Sequence, residues 1–471
     1  MKKGLKYLFI FNLLITTITS NYIVLPFKTL YKEEPKEFTN STELINYWDK
    51  NLIYSTVKIG TPPQNIAIFF HSQNFGSYLY YHMGDFPDSN FERKESSSFV
   101  WKENLNKVTP MENASLVTDT FYFYDKLDTN EMKSVELIPF VYSDNDKEIQ
   151  GKNYEYHNYT CMNIGLKLHY YVDHEKKSNF IEHLKALNNI ILTYDYTLEY
   201  LSNDEGRIII GEEPYTYAPD IYKKQNFKLS GAVYEKDIYN FYLVCDSIYM
   251  NINGKKEEID TKYAKIIIDK GLIYGNEAYH NKIKQLFFDK MIDDKKCHCM
   301  DEDKNIVYFC DKKLVENEIK NFPTLYLDMK LFNKVFELTY KDLFREKNGK
   351  LYFLVYFKLY SYHDYFEIGK IFLKKYTLTF NQNNKHIGYI TKEGESEEDT
   401  LPFYKKTYFW NIIGAIAIIL AIAGFFGGKR IYDKVRKKRL NEVDDDNYDY
   451  EQPEDDKRLF NGSNFNVNDN E

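Results

Sequence analysis

Short runs of β-branched and aromatic residues, set apart by turn-rich joints, constrain this chain more than any other feature. "IYSTVKI" (53–59), "IAIFF" (66–70), "LVTDTFYFYD" (116–125), "GRIIIG" (206–211), "FYLVCDSIYMNI" (241–252), "AKIIID" (264–269), "PTLYLDM" (323–329), "KLYFLVYFKLY" (350–360) and "TLTF" (377–380) read as strands. Joints such as "INGKKE" and "NQNNKH" separate them. Helical spacing shows in few places, "HEKKSNFIEHLKAL" (174–187) and "NEAYHNKIKQLFFDKMI" (276–292) among them. The expectation is an all-β chain with a few short helices. At 471 residues it is too long for one sandwich, which predicts two β lobes.

The two ends set the topology. Lys2, Lys3 and Lys6 precede the apolar stretch Leu8 to Ile15, and Thr17, Thr19 and Ser20 follow, so residues 1–20 read as a signal peptide. Residues 408–428, "YFWNIIGAIAIILAIAGFFGG", carry no charge. At roughly 1.5 Å per helical residue they span a bilayer. The basic cluster from Lys429 to Arg439 places that end in the cytoplasm. The expectation is a type I membrane protein of the secretory pathway or cell surface. Residues 21–228 and 229–400 would form two lumenal or extracellular lobes, and 429–471 a disordered cytoplasmic tail ending in an acidic run.

A net charge of −8 argues against a nucleic-acid surface. Asn40, Asn113 and Asn158 head glycosylation patterns on the lumenal side. Cys161, Cys245, Cys297, Cys299 and Cys310 all precede the span. In an oxidising compartment they should pair, leaving one over, and "CHC" with Cys310 reads as a local disulfide rather than a metal site. The remaining histidines show no metal-ligand spacing, and neither a metal nor a cofactor is expected.

"YSTVKIGTPPQNIAIFF" resembles the opening hairpin of the pepsin-like aspartic proteases. Later stretches resemble the same family in the same order: "FERKESSSFVW", "TDTFYF", "CMNIGLKL" with Gly165 and Leu166, "EGRIIIGEEP", "VCDSIYMNING" and "AKIIIDKG". "FPTLYLDMKLFNKVFEL" and "FEIGKIFLKKYTLTFNQNNKHIGYI", with Gly369 and Gly388, complete the series, so the resemblance runs from about Tyr54 to Ile390. It implies a bilobal double β-barrel with a six-stranded interlobe sheet. A signal peptide with one C-terminal span resembles the membrane-anchored members.

The family's chemistry rests on two carboxylates, one per lobe, that hold a water and share one proton, because like charges so close do not both ionise easily. Each Asp lies in a D-T/S-G loop whose hydroxyl braces the pair, and a flap hairpin bearing a Tyr and glycines closes over the substrate. By the resemblance, Asp269 and Gly271 are kept, but Lys270 replaces the hydroxyl residue. An ammonium there would favour the charged carboxylate if it turned inward, or would point to solvent. In the first loop His71 stands at the Asp position, Ser72 keeps the hydroxyl and Gln73 replaces Gly. Lys107 falls at the flap Tyr, "KVTPMENA" has no flap glycine, and Lys370 follows Gly369 where many members have an acid.

Three readings follow. One is a non-catalytic homologue whose interlobe cleft binds peptide or protein. The second is an active peptidase in which His71 acts as base beside Asp269, as in the histo-aspartic proteases. The third is a surface or sorting receptor that makes no use of the cleft. Dyad, brace and flap are all altered, which favours the first.

Overall fold

In a computed structural model the described residues are 21–29, 35–49, 53–72, 76–83, 89, 91–108, 111–127, 129, 131–143, 158–166, 177–186, 190–230, 241–252, 254–302, 304–358, 364–382, 386–391 and parts of 428–436. The chain divides into two units, 1–400 and 401–471. Of the second, the described residues within 428–436 are helical and exposed. No helix among the described residues is long and apolar enough to cross a membrane. The expected signal peptide and all but the last residue of the expected span lie outside the described residues, as does nearly all of the expected tail.

The first unit is built mostly of strands and has two lobes. A thirteen-stranded sheet carries a run of six strands drawn from both halves of the chain: Phe227–Leu229, His386–Ile390, Leu378–Asn381, Tyr196–Tyr200, Glu205–Ile210 and Ile23–Thr29. The halves meet where Tyr196–Tyr200 pairs antiparallel with Leu378–Asn381, matching Leu198 with Leu378, Thr197 with Thr379 and Tyr196 with Phe380. The two threonine hydroxyls, buried at this seam, bond each other at 2.8 Å. This leaves neither unsatisfied, which would otherwise cost about 1–3 kcal/mol. The Tyr196 and Phe380 rings stack at 4.8 Å. Beyond this run the sheet continues into the first lobe, and the second lobe holds a nine-stranded and a four-stranded sheet.

Each half repeats one strand arrangement. Gln64–His71 runs parallel to Asn158–Gly165, which then pairs antiparallel with Ser77–Met83. In the second half Tyr263–Ile266 runs parallel to Phe366–Ile368, which bridges antiparallel to Ile273–Gly275 through Tyr274 and Glu367. In both, a strand ends, a loop leaves it, and the strand after the loop returns to the other side of a shared neighbour. The loops so formed carry His71 and Asp269.

The expected strands are present, with two long runs divided. "FYLVCDSIYMNI" becomes Phe241–Val244 and Ser247–Ile252, and "KLYFLVYFKLY" becomes Lys350–Phe353 and Val355–Lys358. "NEAYHNKIKQLFFDKMI" is helical from Glu277 to Asp293, with one π turn at Lys284–Phe288 and Asn276 as its N-cap. Among the described residues of "HEKKSNFIEHLKAL", Phe180–Ala186 form a helix. An additional helix, Ser41–Trp48, is capped by Asn40, whose side chain accepts from Glu43 N at 2.7 Å. Phe38, Leu44, Tyr47 and Trp48 pack with Leu272, Tyr274 and Tyr352, so this segment is buried against the second half of the chain.

Cys310 takes Cys297 as its partner across a hairpin. Cys161 and Cys245, both buried, and Cys299, exposed, are in no disulfide, so three cysteines stay outside a bridge rather than one. Among the described residues no cluster of metal-ligating side chains occurs.

A buried carboxylate ties the opening hairpin to the serine-rich segment. Ser96 Oγ lies 3.1 and 3.0 Å from the two carboxylate oxygens of Asp119, Ser98 Oγ donates at 2.5 Å and Thr120 N at 2.8 Å. Ser96 Oγ also accepts from Thr61 N, and Gly60 N donates to Thr120 O, which fixes the turn between the first two hairpin strands. Asp119→Ala removes the acceptor of three donors, of which Ser96 and Thr120 are buried, and is expected to cost about 2–4 kcal/mol. A melting temperature within a degree or two of the unmodified protein would show that this network does not hold the lobe.

Candidate functional site

Gln64–His71 ends on His71, and a bend at Ser72 follows. Parallel pairing sets His71 opposite Gly165, and Leu166 N donates to His71 O at 3.1 Å. Within the second half of the chain, Ile267 N bonds Ile368 O at 2.9 Å and Lys370 N bonds Lys270 O at 2.8 Å, which pins both shoulders of the Asp269 loop. Gly369 permits this: an added Cβ there would lie 2.4 Å from Ile267 O and 2.5 Å from Lys270 O.

The two loops bring His71, Ser72 and Asp269 together. His71 Nδ1 lies 3.2 Å from Asp269 Oδ2. Ser72 Oγ donates to Asp269 Oδ1 at 3.2 Å and accepts from Ile268 N at 3.3 Å, so one hydroxyl bridges the two halves as the resemblance implies. The second ring nitrogen of His71, Nε2, faces Asn163 Oδ1 at 3.0 Å. The side chains of His71 and Asp269 are 20% and 21% exposed, so a ligand can reach them.

Both ring nitrogens thus face oxygens, an arrangement that suits a protonated ring. A neutral imidazole has one N–H and one lone pair. Either tautomer would aim its lone pair at an oxygen, a carboxylate in one case and an amide carbonyl in the other. Only the imidazolium satisfies both contacts. The shifts agree with this. Burial would lower the His71 pKa, but the hydrogen bond and charge of Asp269, with Asn163, outweigh it and raise the pKa above its ordinary value. Burial would raise the Asp269 pKa, but the hydrogen bond and charge of His71, with Ser72, hold it below the ordinary carboxylate value. Both shifts favour an imidazolium beside a carboxylate, a combination with no net charge, where two carboxylates would share a proton.

Lys270 joins neither the pair nor bulk solvent. Its ammonium lies 3.0 Å from Asp49 Oδ2 and 3.3 Å from Glu367 Oε2, and it donates to Tyr356 Oη at 2.8 Å. Burial opposes the charge, but Asp49, Tyr356 and Glu367 together raise the Lys270 pKa further above its ordinary value. Gly271 is required where it stands, since a Cβ would sit 1.8 Å from Trp48 O. Leu272 N donates to Asp49 Oδ1 at 3.1 Å, so the end of the Ser41–Trp48 helix clamps this loop. Lys107 lies in the hairpin Val100–Val108/Met111–Tyr124, opposite Glu112. Gln73 lies outside the described residues.

Asn163, Asp49, Glu367 and Tyr356 are site residues that the sequence did not single out. Asn163 had a signal: it is an amide set among Cys161, Met162 and Ile164, which are fully buried. Asp49 had a weaker one, since Asn40 followed by Glu43 marks a helix start and Asp49 its end. Nothing in the sequence around Glu367 or Tyr356 links either residue to Lys270.

No family model matches the chain, and no curated protein matches it. Solved structures do. Conglutin gamma, a basic 7S globulin from lupine seeds, aligns with a TM-score of 0.54 at 11% identity over 81% of this chain and 97% of its own. Basic 7S globulin from soybean aligns with a TM-score of 0.50 at 12% identity over 79% of this chain and 96% of its own. These globulins are relatives by fold of the pepsin-like aspartic proteases, and at such identity the likeness concerns the fold alone.

The pair makes stability depend on pH with a definite sign. The raised His71 pKa gives a contribution that is complete below about pH 6.5 and lost as pH rises through the folded-state value. The lowered Asp269 pKa gives one that is complete above about pH 4 and lost as pH falls through its own. The melting temperature is therefore expected to fall more steeply between about pH 6 and 9 in the unmodified protein than in His71→Phe, and an NMR titration should show both His71 N–H protons at about pH 6. Equal slopes in the two proteins, or a single N–H at that pH, would refute the imidazolium.

Proposed function

We propose that the chain is a non-catalytic pepsin-like protein whose interlobe cleft binds an extended peptide or protein segment. The observation that carries this reading is the engagement of both His71 ring nitrogens. A general base needs a lone pair within reach of the water's proton. A protonated His71 has none, and both of its ring nitrogens are engaged, by Asp269 and Asn163. Asp269 remains as the only carboxylate of the pair, and its lowered pKa makes it a weaker base. The second loop has also lost its bracing hydroxyl, because Lys270 turns to Asp49 and Glu367. Loss of one partner from a concerted acid–base pair costs several orders of magnitude in rate. The partial exposure of the pair, with Ser72 holding the loops together, supports binding at the same place.

We further propose that the protein is a type I membrane protein with its lobes in the secretory pathway or at the cell surface and its tail in the cytoplasm. The basic start, the uncharged segment 408–428 and the basic residues after it support this. The Cys297–Cys310 disulfide fits an oxidising compartment.

Two assays on the full-length protein test the reading. Incubation with a mixed peptide pool from about pH 4 to 8 is expected to give no cleavage above that of Asp269→Asn. A peptide carrying a hydroxyl-bearing mimic of the cleavage transition state is expected to bind the unmodified protein and to bind His71→Trp at least about tenfold more weakly. Cleavage abolished by Asp269→Asn would establish an active His71–Asp269 peptidase instead. Equal binding to both proteins would remove the cleft from the function.

A further inference from the structure

Asp195 sits just before the strand Tyr196–Tyr200, where three segments of the chain close on one another. Leu192 N donates to Asn21 O at 3.1 Å, Thr193 N to Gly211 O at 2.9 Å and Gly211 N to Asp195 O at 2.8 Å. The packing is tight: a Cβ on Gly211 would lie 2.5 Å from Asn21 O and 2.7 Å from Ile191 Cβ. Inside this junction Asp195 is 0% exposed. Neither of its carboxylate oxygens has a hydrogen-bond partner among the described residues. The Thr193 hydroxyl is a near neighbour, but its one proton goes to Gly211 O at 2.9 Å.

We infer that Asp195 is a pH-sensitive latch: the junction stays closed while this carboxyl is neutral, and its ionisation loosens residues 190–195 from Asn21 and Gly211. The physical reason is the cost of a buried charge without a partner, which far exceeds that of a buried neutral acid.

The charged groups that act on Asp195 do not neutralise it. Glu213, the N-cap of the short helix Pro214–Tyr217, adds a like charge, and Tyr215 Oη donates to Glu213 rather than to Asp195, at 2.9 Å. Glu212, buried on the same turn, is itself held above the ordinary carboxylate range, by burial first. Lys185, from the helix Phe180–Ala186, acts in the opposite sense, but its ammonium lies over the Tyr194 ring at 4.1 Å. Burial pushes the Asp195 carboxyl up to about 6, Glu213 adds to this, and Thr193 and Lys185 offset only part of it.

The sign follows. In the unfolded chain an aspartate ionises near pH 4. Stability from Asp195 is therefore complete below about pH 4, is lost as pH rises to about 6, and changes no further above that. The span is worth about a hundredfold in the folding equilibrium constant. His71 loses its share later, above about pH 6.5, so the two are separable.

Denaturant unfolding of the full-length protein and of Asp195→Asn at about pH 4, 5, 6.5 and 8 tests the latch. The advantage of the variant is expected to grow by about a hundredfold in the folding equilibrium constant between about pH 4 and 6.5, then to stay level to pH 8. Reading only the change with pH removes any fixed cost of the new amide. Hydrogen exchange on the unmodified protein does not depend on the variant folding. Corrected for the intrinsic pH dependence, the amides of Leu192, Thr193 and Gly211 should lose at least about tenfold of their protection between about pH 5 and 7, and those of Tyr196–Tyr200 less. A difference between the two proteins that does not change with pH, or protection at Leu192, Thr193 and Gly211 that falls no more than along Tyr196–Tyr200, would overturn the inference.

Discussion

Backbone pairing between Tyr196–Tyr200 and Leu378–Asn381 is the constraint on which the rest of the molecule depends. It joins Thr197 to Thr379, 182 positions away in the chain, and makes two separate lobes share one sheet. The loop-closure entropy of such a contact grows only slowly with length, but it is unfavourable until neighbouring contacts form with it. Those contacts are the flanking strands on either side and the buried aromatic stack of Tyr196 on Phe380. Once the seam is made, the strand arrangement repeated in each half leaves its loop facing the other. The meeting of His71 and Asp269 follows from the sheet, not from any attraction between the two residues.

The site then obeys charge accounting at close quarters. A carboxylate held in a partly buried loop needs a partner, and in the aspartic-protease dyad that partner is a second carboxylate with a shared proton. Here His71 supplies the counter-charge outright, and Asn163 completes its hydrogen bonding. Placing Lys270 next to Asp269 in the chain creates a second problem of the same kind. Asp49 and Glu367 answer it from two other segments, and Tyr356 adds a hydroxyl and a ring face. Burial by itself raises the Asp49 pKa and so disfavours its charge, which Lys270 partly offsets. Neither Asp49 nor Lys270 would be tolerated here without the other.

Much of the fold was legible because it rests on local pattern. Alternation in "IYSTVKI" and the apolar run in "IAIFF" are strand signals that need no tertiary information. Strands such as Val100–Val108 and Cys297–Glu302 were not, because "VWKENLNKV" and "CHCMDE" carry exposed polar residues and owe their form to pairing with a neighbour. Within the site, His71, Ser72, Gly271 and Asp269 stood out by their positions in two matching loops. The direction of Lys270 did not: alternation along a strand fails where the strand has ended in a turn. Asn163 and Asp49 act through register and docking, and a single sequence records neither.

The clamp on the Asp269 loop has a functional corollary. Gly271 lies against the backbone of Trp48 too closely for any side chain, and Leu272 N is held by Asp49. The loop is therefore fixed from behind by the helix Ser41–Trp48 as well as from the front by Ser72. A loop held on both faces suits recognition, because a preorganised surface does not lose ordering entropy when a partner arrives.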